Sequence, residues 1–299
     1  MPAATATLGP LCSDGSATYT SPEGYTITGA VNGPIEVQRR DELPEEATIE
    51  VNIRPANGVG TTRERHLESL LHSTLRSIIL THTFPRTLIQ LTLQIVSTPD
   101  KMGYGGSRYL NLSSSLPLLP SLLQTALLTL LSGAIPLRTT YTSTLLAVSP
   151  APSPSEKPTI HTSLITPQCL ASATSLHVFT FTPAGDLLLA ESEGSFDIET
   201  WERVYERAEA VCIGDGEGVA GVAGEGDEKA GANVKGLQGM EIDSEEEEED
   251  EGGVRLLDAG VEEAAPAVSK KETPQNLGGW VKGVVEAKVK EDMRWKNRN

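Results

Sequence analysis

Gly29-Ala-Val-Asn-Gly-Pro-Ile-Glu-Val37, Glu50-Val-Asn-Ile-Arg-Pro55, Gly60-Thr-Thr-Arg-Glu-Arg65 and Phe84-Pro-Arg-Thr-Leu-Ile-Gln-Leu-Thr-Leu-Gln-Ile-Val96 follow one another within a single run. The run reads as strand, acidic turn, strand, arginine-bearing loop, amphipathic helix, strand. Ala47 to Ile53 alternates apolar and polar residues, as a half-buried strand does. The period then changes: Leu67, Leu70, Leu71, Leu75, Ile78 and Ile79 recur at three- and four-residue spacing and make one apolar helical face. Thr61-Thr-Arg-Glu64 opens that helix with the pattern of a capping box. Leu88 to Val96 returns to alternation, with Ile89, Leu91, Leu93 and Ile95 on one side.

Working outward, Asp14 to Tyr19 and Tyr25 to Val31 flank Ser-Pro-Glu-Gly and predict a hairpin. Downstream come a leucine-rich helix over Ser121–Leu131, a strand over Thr144–Val148 and a Pro/Ser-rich insert over Ser149–Pro158. A hairpin of Leu176–Phe181 with Asp186–Glu191 and a helix over Ile198–Val211 complete the series. The order predicts an α+β domain over residues 12–212, preceded by a flexible stretch 1–11. From residue 213 to 270 the composition shifts to Gly, Glu, Asp and Ala, including the run Glu245 to Glu251. Dense like charge with little apolar surface predicts a disordered acidic linker. Residues 271–299 then carry Trp280, Val281, Val284, Val285, Val289 and Met293 near helical spacing, which predicts a C-terminal amphipathic helix.

The net charge of −17 is concentrated: residues 213–269 carry −14, residues 270–299 carry +4 and residues 1–212 carry −7. The acidity therefore belongs mainly to the linker and does not exclude a nucleic-acid partner for the domain. Cys12, Cys169 and Cys212 are too scattered for a disulfide framework or a zinc site, and read as thiols of a soluble intracellular protein. The most apolar run, Leu116 to Leu131, is interrupted by Pro117, Pro120 and Gln124 and is too short to span a bilayer.

The sequence over roughly residues 12–212 resembles an RNase PH-type domain, and within that family it is similar to ring subunits of the eukaryotic RNA exosome. The resemblance implies a ribosomal protein S5 domain 2-like fold, with mixed β-sheets packed with helices. Enzymes of this family cleave RNA with phosphate, using an arginine-bearing phosphate cradle and an aspartate pair that holds a divalent metal. The cradle is partly present. Tyr104-Gly-Gly-Ser-Arg108 stands where the family has Gly-Gly-Thr-Arg, so the resemblance makes Gly106, Ser107 and Arg108 RNA- or phosphate-contacting candidates, with Lys101 to Tyr104 as an insertion. Gly permits close backbone approach, and Arg offers a bidentate partner to phosphate oxygens. Arg63 and Arg65 are the candidates on the other arm, where a helix start also presents amide N–H groups to an anion. A solvated surface turn is the competing account of Gly105 to Arg108.

The aspartate pair is missing. Between Lys157 and Gly185 the sequence has no Asp or Glu, and the corresponding stretch reads Pro158-Thr-Ile-His-Thr-Ser-Leu-Ile-Thr-Pro-Gln168. Hydroxyl and amide groups do not replace two carboxylates around Mg²⁺. The expectation is therefore a chain with no catalytic residue, no metal and no cofactor. Other enzyme readings lack support: His66 and His72 lie six apart on a helix, His82, His161 and His177 lie near no obvious nucleophile, and no P-loop or Gly-x-Ser-x-Gly occurs.

What the resemblance implies is a non-catalytic subunit of the exosome ring. Its partners are other RNase PH-type ring subunits, cap proteins, RNA threaded through the pore and an associated nuclease, with no membrane. The implied location is nucleus and nucleolus, and cytoplasm as well. Two alternatives stay open: an active phosphate-dependent 3'–5' exoribonuclease, and an acidic-tailed protein-binding scaffold.

Overall fold

The computed structural model describes residues 4–37, 39, 42–99, 115–150, 158–162, 165, 167–213 and 277–294. These fall within one compact unit, residues 1–217 together with 274–299.

The first sheet holds five strands: β1 (Thr5–Leu8), β2 (Gly15–Thr20), β3 (Thr26–Glu36), β4 (Thr48–Arg54) and β5 (Thr87–Ser97), in the order β1-β2-β3-β5-β4. All neighbours run antiparallel except β4 and β5, which pair in parallel from Thr48↔Leu88 to Arg54↔Gln94. A parallel pair requires a crossover, and helix α1 (Thr62–Ile78) supplies it. Ile27, Val31, Ile49, Val51, Ile53, Ile89, Leu91, Leu93 and Ile95 are buried in the main core, while Thr18, Thr28, Gln90, Thr92 and Gln94 alternate with them and stay half-exposed. This is the period-2 signature read from the sequence.

Helix α2 (Leu119–Ser132) packs against β2 and β3 on one side and the second sheet on the other. It has no polar face, and even Gln124, Thr125 and Thr129 are buried. The approach to β3 is close: a Cβ at Gly29 would meet Thr129 Oγ1 at 2.2 Å. Glycine is what permits that contact.

The second sheet contains β6 (Thr142–Ser149), β7 (Thr159–His161), β8 (Ser175–Phe181) and β9 (Leu187–Gly194), in the order β7-β6-β8-β9 and antiparallel throughout. A short helix, α3 (Pro167–Ser172), lies between β7 and β8. Helix α4 (Ile198–Ile213) covers the sheet face bearing Leu146, Val148, Phe179 and Phe181 with Val204, Ala208 and Cys212. Phe179 meets Trp201 and Tyr205 edge-to-face at 5.9 and 5.8 Å.

The α+β architecture is the one expected, with differences in detail. Residues 5–8 form β1 on β2, inside the stretch 1–11 read as flexible; its short Thr/Ala sequence carries no run of large apolar residues. Residue 213, assigned to the acidic linker by composition, ends α4, and residues 214–270 lie outside the described residues. The C-terminal helix, expected within 271–299, is α5 (Leu277–Asp292). It docks on the domain: Trp280 meets Tyr19 edge-to-face at 5.7 Å, and Val281 is buried. The fit is loose, since a cavity of about 600 Å³ lies between Val281 and Val285 on the helix and Leu127, Leu131, Tyr141 and Cys212 on the domain. All three cysteines are free thiols, and no described helix is long and apolar enough to cross a membrane.

Candidate RNA-contacting site

The parallel β4–β5 pair decides where the candidate site lies. Both strands end on the same side of the sheet, so the loop after Arg54 and the segment after Ser97 leave from one end. The first leads to Arg63 and Arg65. The second leads toward Gly106, Ser107 and Arg108, which lie outside the described residues. The loop Pro55–Gly60 is anchored by Gln94 Nε2, which donates to the Pro55 carbonyl at 3.0 Å.

At the start of α1, Thr61 Oγ1 accepts from the Arg63 N–H at 3.3 Å, and Glu64 Oε2 accepts from the Thr61 N–H at 2.7 Å. The capping box is complete. Partial burial pushes the Glu64 carboxyl up, but hydrogen bonds from the Thr61 hydroxyl and amide, its own amide, and the Arg63 charge outweigh that and hold it below its ordinary value. The helix start is therefore occupied by its own carboxylate, and an incoming phosphate would compete with Glu64 for these amides. Positive charge at this end comes from the arginine side chains.

Arg65 Nη1 sits 2.9 Å from Glu68 Oε2, and the other carboxylate oxygen accepts the Ile53 N–H at 2.8 Å. Glu68 thus ties the end of β4 to α1 and steers Arg65 at once. The sequence reading did not single it out, although Arg65-x-x-Glu68 has the i,i+3 spacing of a helical ion pair. Arg63 and Arg54 are exposed at the same end. The hairpin turn between β2 and β3 lies there too, with Gly24 beside Pro99. Within it, burial pushes the Glu23 carboxyl up to about 7.

No cluster of three His, Cys, Asp or Glu residues able to hold a metal occurs among the described residues. The stretch expected to supply the aspartate pair forms edge strand β7 and then leads into α3, and its sequence supplies no carboxylate. His177 corrects one expectation, because it does lie against serines: Nδ1 is 2.8 Å from Ser192 Oγ and Nε2 is 2.9 Å from Ser175 Oγ. The ring is fully buried and burial pushes its pKa down to about 4, so it is a neutral core bridge with no route to a substrate.

Fold and sequence define the class together. Residues 11–136 match the model of the 3' exoribonuclease family, domain 1. The relatives are more particular. Over 87 residues the chain is 42% identical to exosome complex component RRP46 of Saccharomyces cerevisiae, covering 29% of this chain and 39% of that protein. Over 84 residues it is 43% identical to exosome complex component rrp46 of Schizosaccharomyces pombe, covering 28% and 37%. Over 81 residues it is 37% identical to the exosome complex exonuclease RRP46 homolog of Oryza sativa, covering 27% and 34%. The aligned part thus spans under two fifths of the length of each of these relatives. In fold the chain is similar to the crystal structure of rice Rrp46, with TM-score 0.55, 24% identity and coverage of 70% of this chain and 88% of that one. It is also similar to a chain of the Archaeoglobus fulgidus exosome, with TM-score 0.51, 12% identity and coverage of 69% and 84%.

Proposed function

We propose that this chain is a non-catalytic ring subunit of an RNA exosome, helping to form the channel that threads RNA for 3'–5' processing and degradation, including ribosomal RNA maturation. The observation that carries the reading is a contrast within one fold. Arg54, Arg63 and Arg65 stand at the end of the β4–β5 pair, while Pro158 to Gly185 contains no carboxylate to hold a metal. Arginines of this kind guide a phosphate backbone, but cannot activate phosphate against it without charge neutralisation at the scissile group. The partners in this reading are other RNase PH-type subunits, cap proteins, the RNA in the pore and a separate nuclease. Nucleus, nucleolus and cytoplasm are the compartments it calls for.

The test is incubation of the pure chain with single-stranded RNA, inorganic phosphate and Mg²⁺, together with native mass measurement of the complex purified through this chain. No nucleoside diphosphate and a multi-subunit assembly are expected. A lone monomer would overturn the ring assignment. Released diphosphates would favour the second reading, an active phosphorolytic exoribonuclease, which the rice relative's name as an exonuclease homolog supports.

A further inference from the structure

Charge on the domain is distributed unevenly. Residues 1–212 carry −7, and −6 of this falls within residues 185–212, on β9 and α4. Asp186, Asp197, Glu199 and Glu202 are exposed, Glu191 is half-buried, and none of the five forms an ion pair among the described residues. Three large apolar side chains share this region: Leu187, Phe196 and Ile198 are 41%, 39% and 74% exposed. Phe196 is held in place, with its ring edge-to-face on His177 at 4.8 Å.

Among the described residues β9 is also the last strand of its sheet, with β8 on one side and no strand on the other. An end strand with exposed apolar neighbours is a template for pairing with another chain, and soluble proteins usually blunt such edges with lysine or proline. Neither residue occurs between Asp186 and Glu202. Like charge repels an RNA backbone from this edge. The same carboxylates favour lysine and arginine, and added-strand recognition draws affinity from the backbone and selectivity from alternate side chains.

We propose that the outer edge of β9, with Leu187, Phe196 and Ile198, docks an extended segment of a protein partner in which Lys or Arg alternates with apolar residues. Helix α1 also touches β9, and the proposal does not depend on the ring assignment.

The test uses the full chain and a synthetic decapeptide alternating lysine and valine, read by amide hydrogen exchange along the protein. Exchange of the β9 amides should slow about tenfold when the peptide is added, as a newly formed ladder requires. The peptide should bind about fivefold more weakly to Asp197→Asn/Glu199→Gln, which keeps the size of both side chains, and to Ile198→Ser at an exposed position. Slowing confined to the acidic run Glu245–Glu251 would overturn the proposal, since it would mean charge attraction without docking. So would equal slowing of the β9 amides by a Glu-Val peptide or by oligouridylate, and so would unchanged binding by both variants.

Discussion

Two side chains show how a residue's meaning depends on what it touches. His177, one of five histidines, bridges Ser175 and Ser192 in its neutral form. With the folded-state pKa near 4 and an unfolded value near 6.5, its contribution to stability is fully present above about pH 6.5. As pH falls from there toward 4 the unfolded chain takes up a proton that the folded one refuses, and about 3 kcal/mol is lost. Urea midpoints at pH 7 and pH 4.5 should show this fall, and His177→Gln should show a smaller one whatever its starting stability. Glu68 is the other case. Glu68→Ala leaves the Ile53 N–H without its acceptor and releases Arg65, which should cost about 1–2 kcal/mol in thermal or urea unfolding. Most of that comes from the Ile53 bond, because the 77% exposed Arg65 is screened by water. Thr61→Ala, which opens the capping box, should cost about 1 kcal/mol in the same measurement.

Among the elements, those with a strong period are legible in the amino-acid sequence alone. The apolar face of α1 and the alternation of β5 each bury several large side chains, so the sequence has to repeat at the spacing of the structure. Elements held by neighbours were not legible. β1 is four residues of Thr, Ala and Leu stabilised by pairing with β2, β7 is a three-residue edge, and α3 is six residues long. None offers enough length for a period to emerge. In the candidate site, the placement of Arg63 and Arg65 at a helix start was readable from the Thr-x-x-Glu pattern, whereas the hold of Glu68 on β4 depends on a tertiary contact with no local mark. The docking of α5 is of the same kind, since helical spacing marks the apolar face but not the surface that receives it. Two changes test these packings. Gly29→Ala sets a methyl group against Thr129 and Leu93 and should lower stability by about 1–3 kcal/mol. Trp280→Ala removes the ring contact with Tyr19 over an already loose interface, so trypsin should cut at Lys282, Lys288 and Lys290 about tenfold faster while the domain resists as before.

For the whole molecule, the distribution of charge sets how RNA can bind. The chain carries −17 overall, and among the described residues Arg54, Arg63 and Arg65 stand together at the end of the β4–β5 pair. The described residues of the chain carry no long positive track, so its RNA affinity should be low and its salt dependence shallow. Three phosphate contacts correspond to a slope of about −2 in log K against log salt for a single strand. Arg63→Ala/Arg65→Ala should reduce that slope by about 1.4, because two counterion-releasing contacts disappear, with no change in preference among RNA sequences. If the chain is built into the proposed ring, the same pair should dominate its crosslinks to RNA. Binding isotherms for oligouridylate at several salt concentrations measure the slope directly. A slope unchanged in the double variant would take these arginines off the RNA path and leave the acidic β9 edge as the main recognition surface of the described domain.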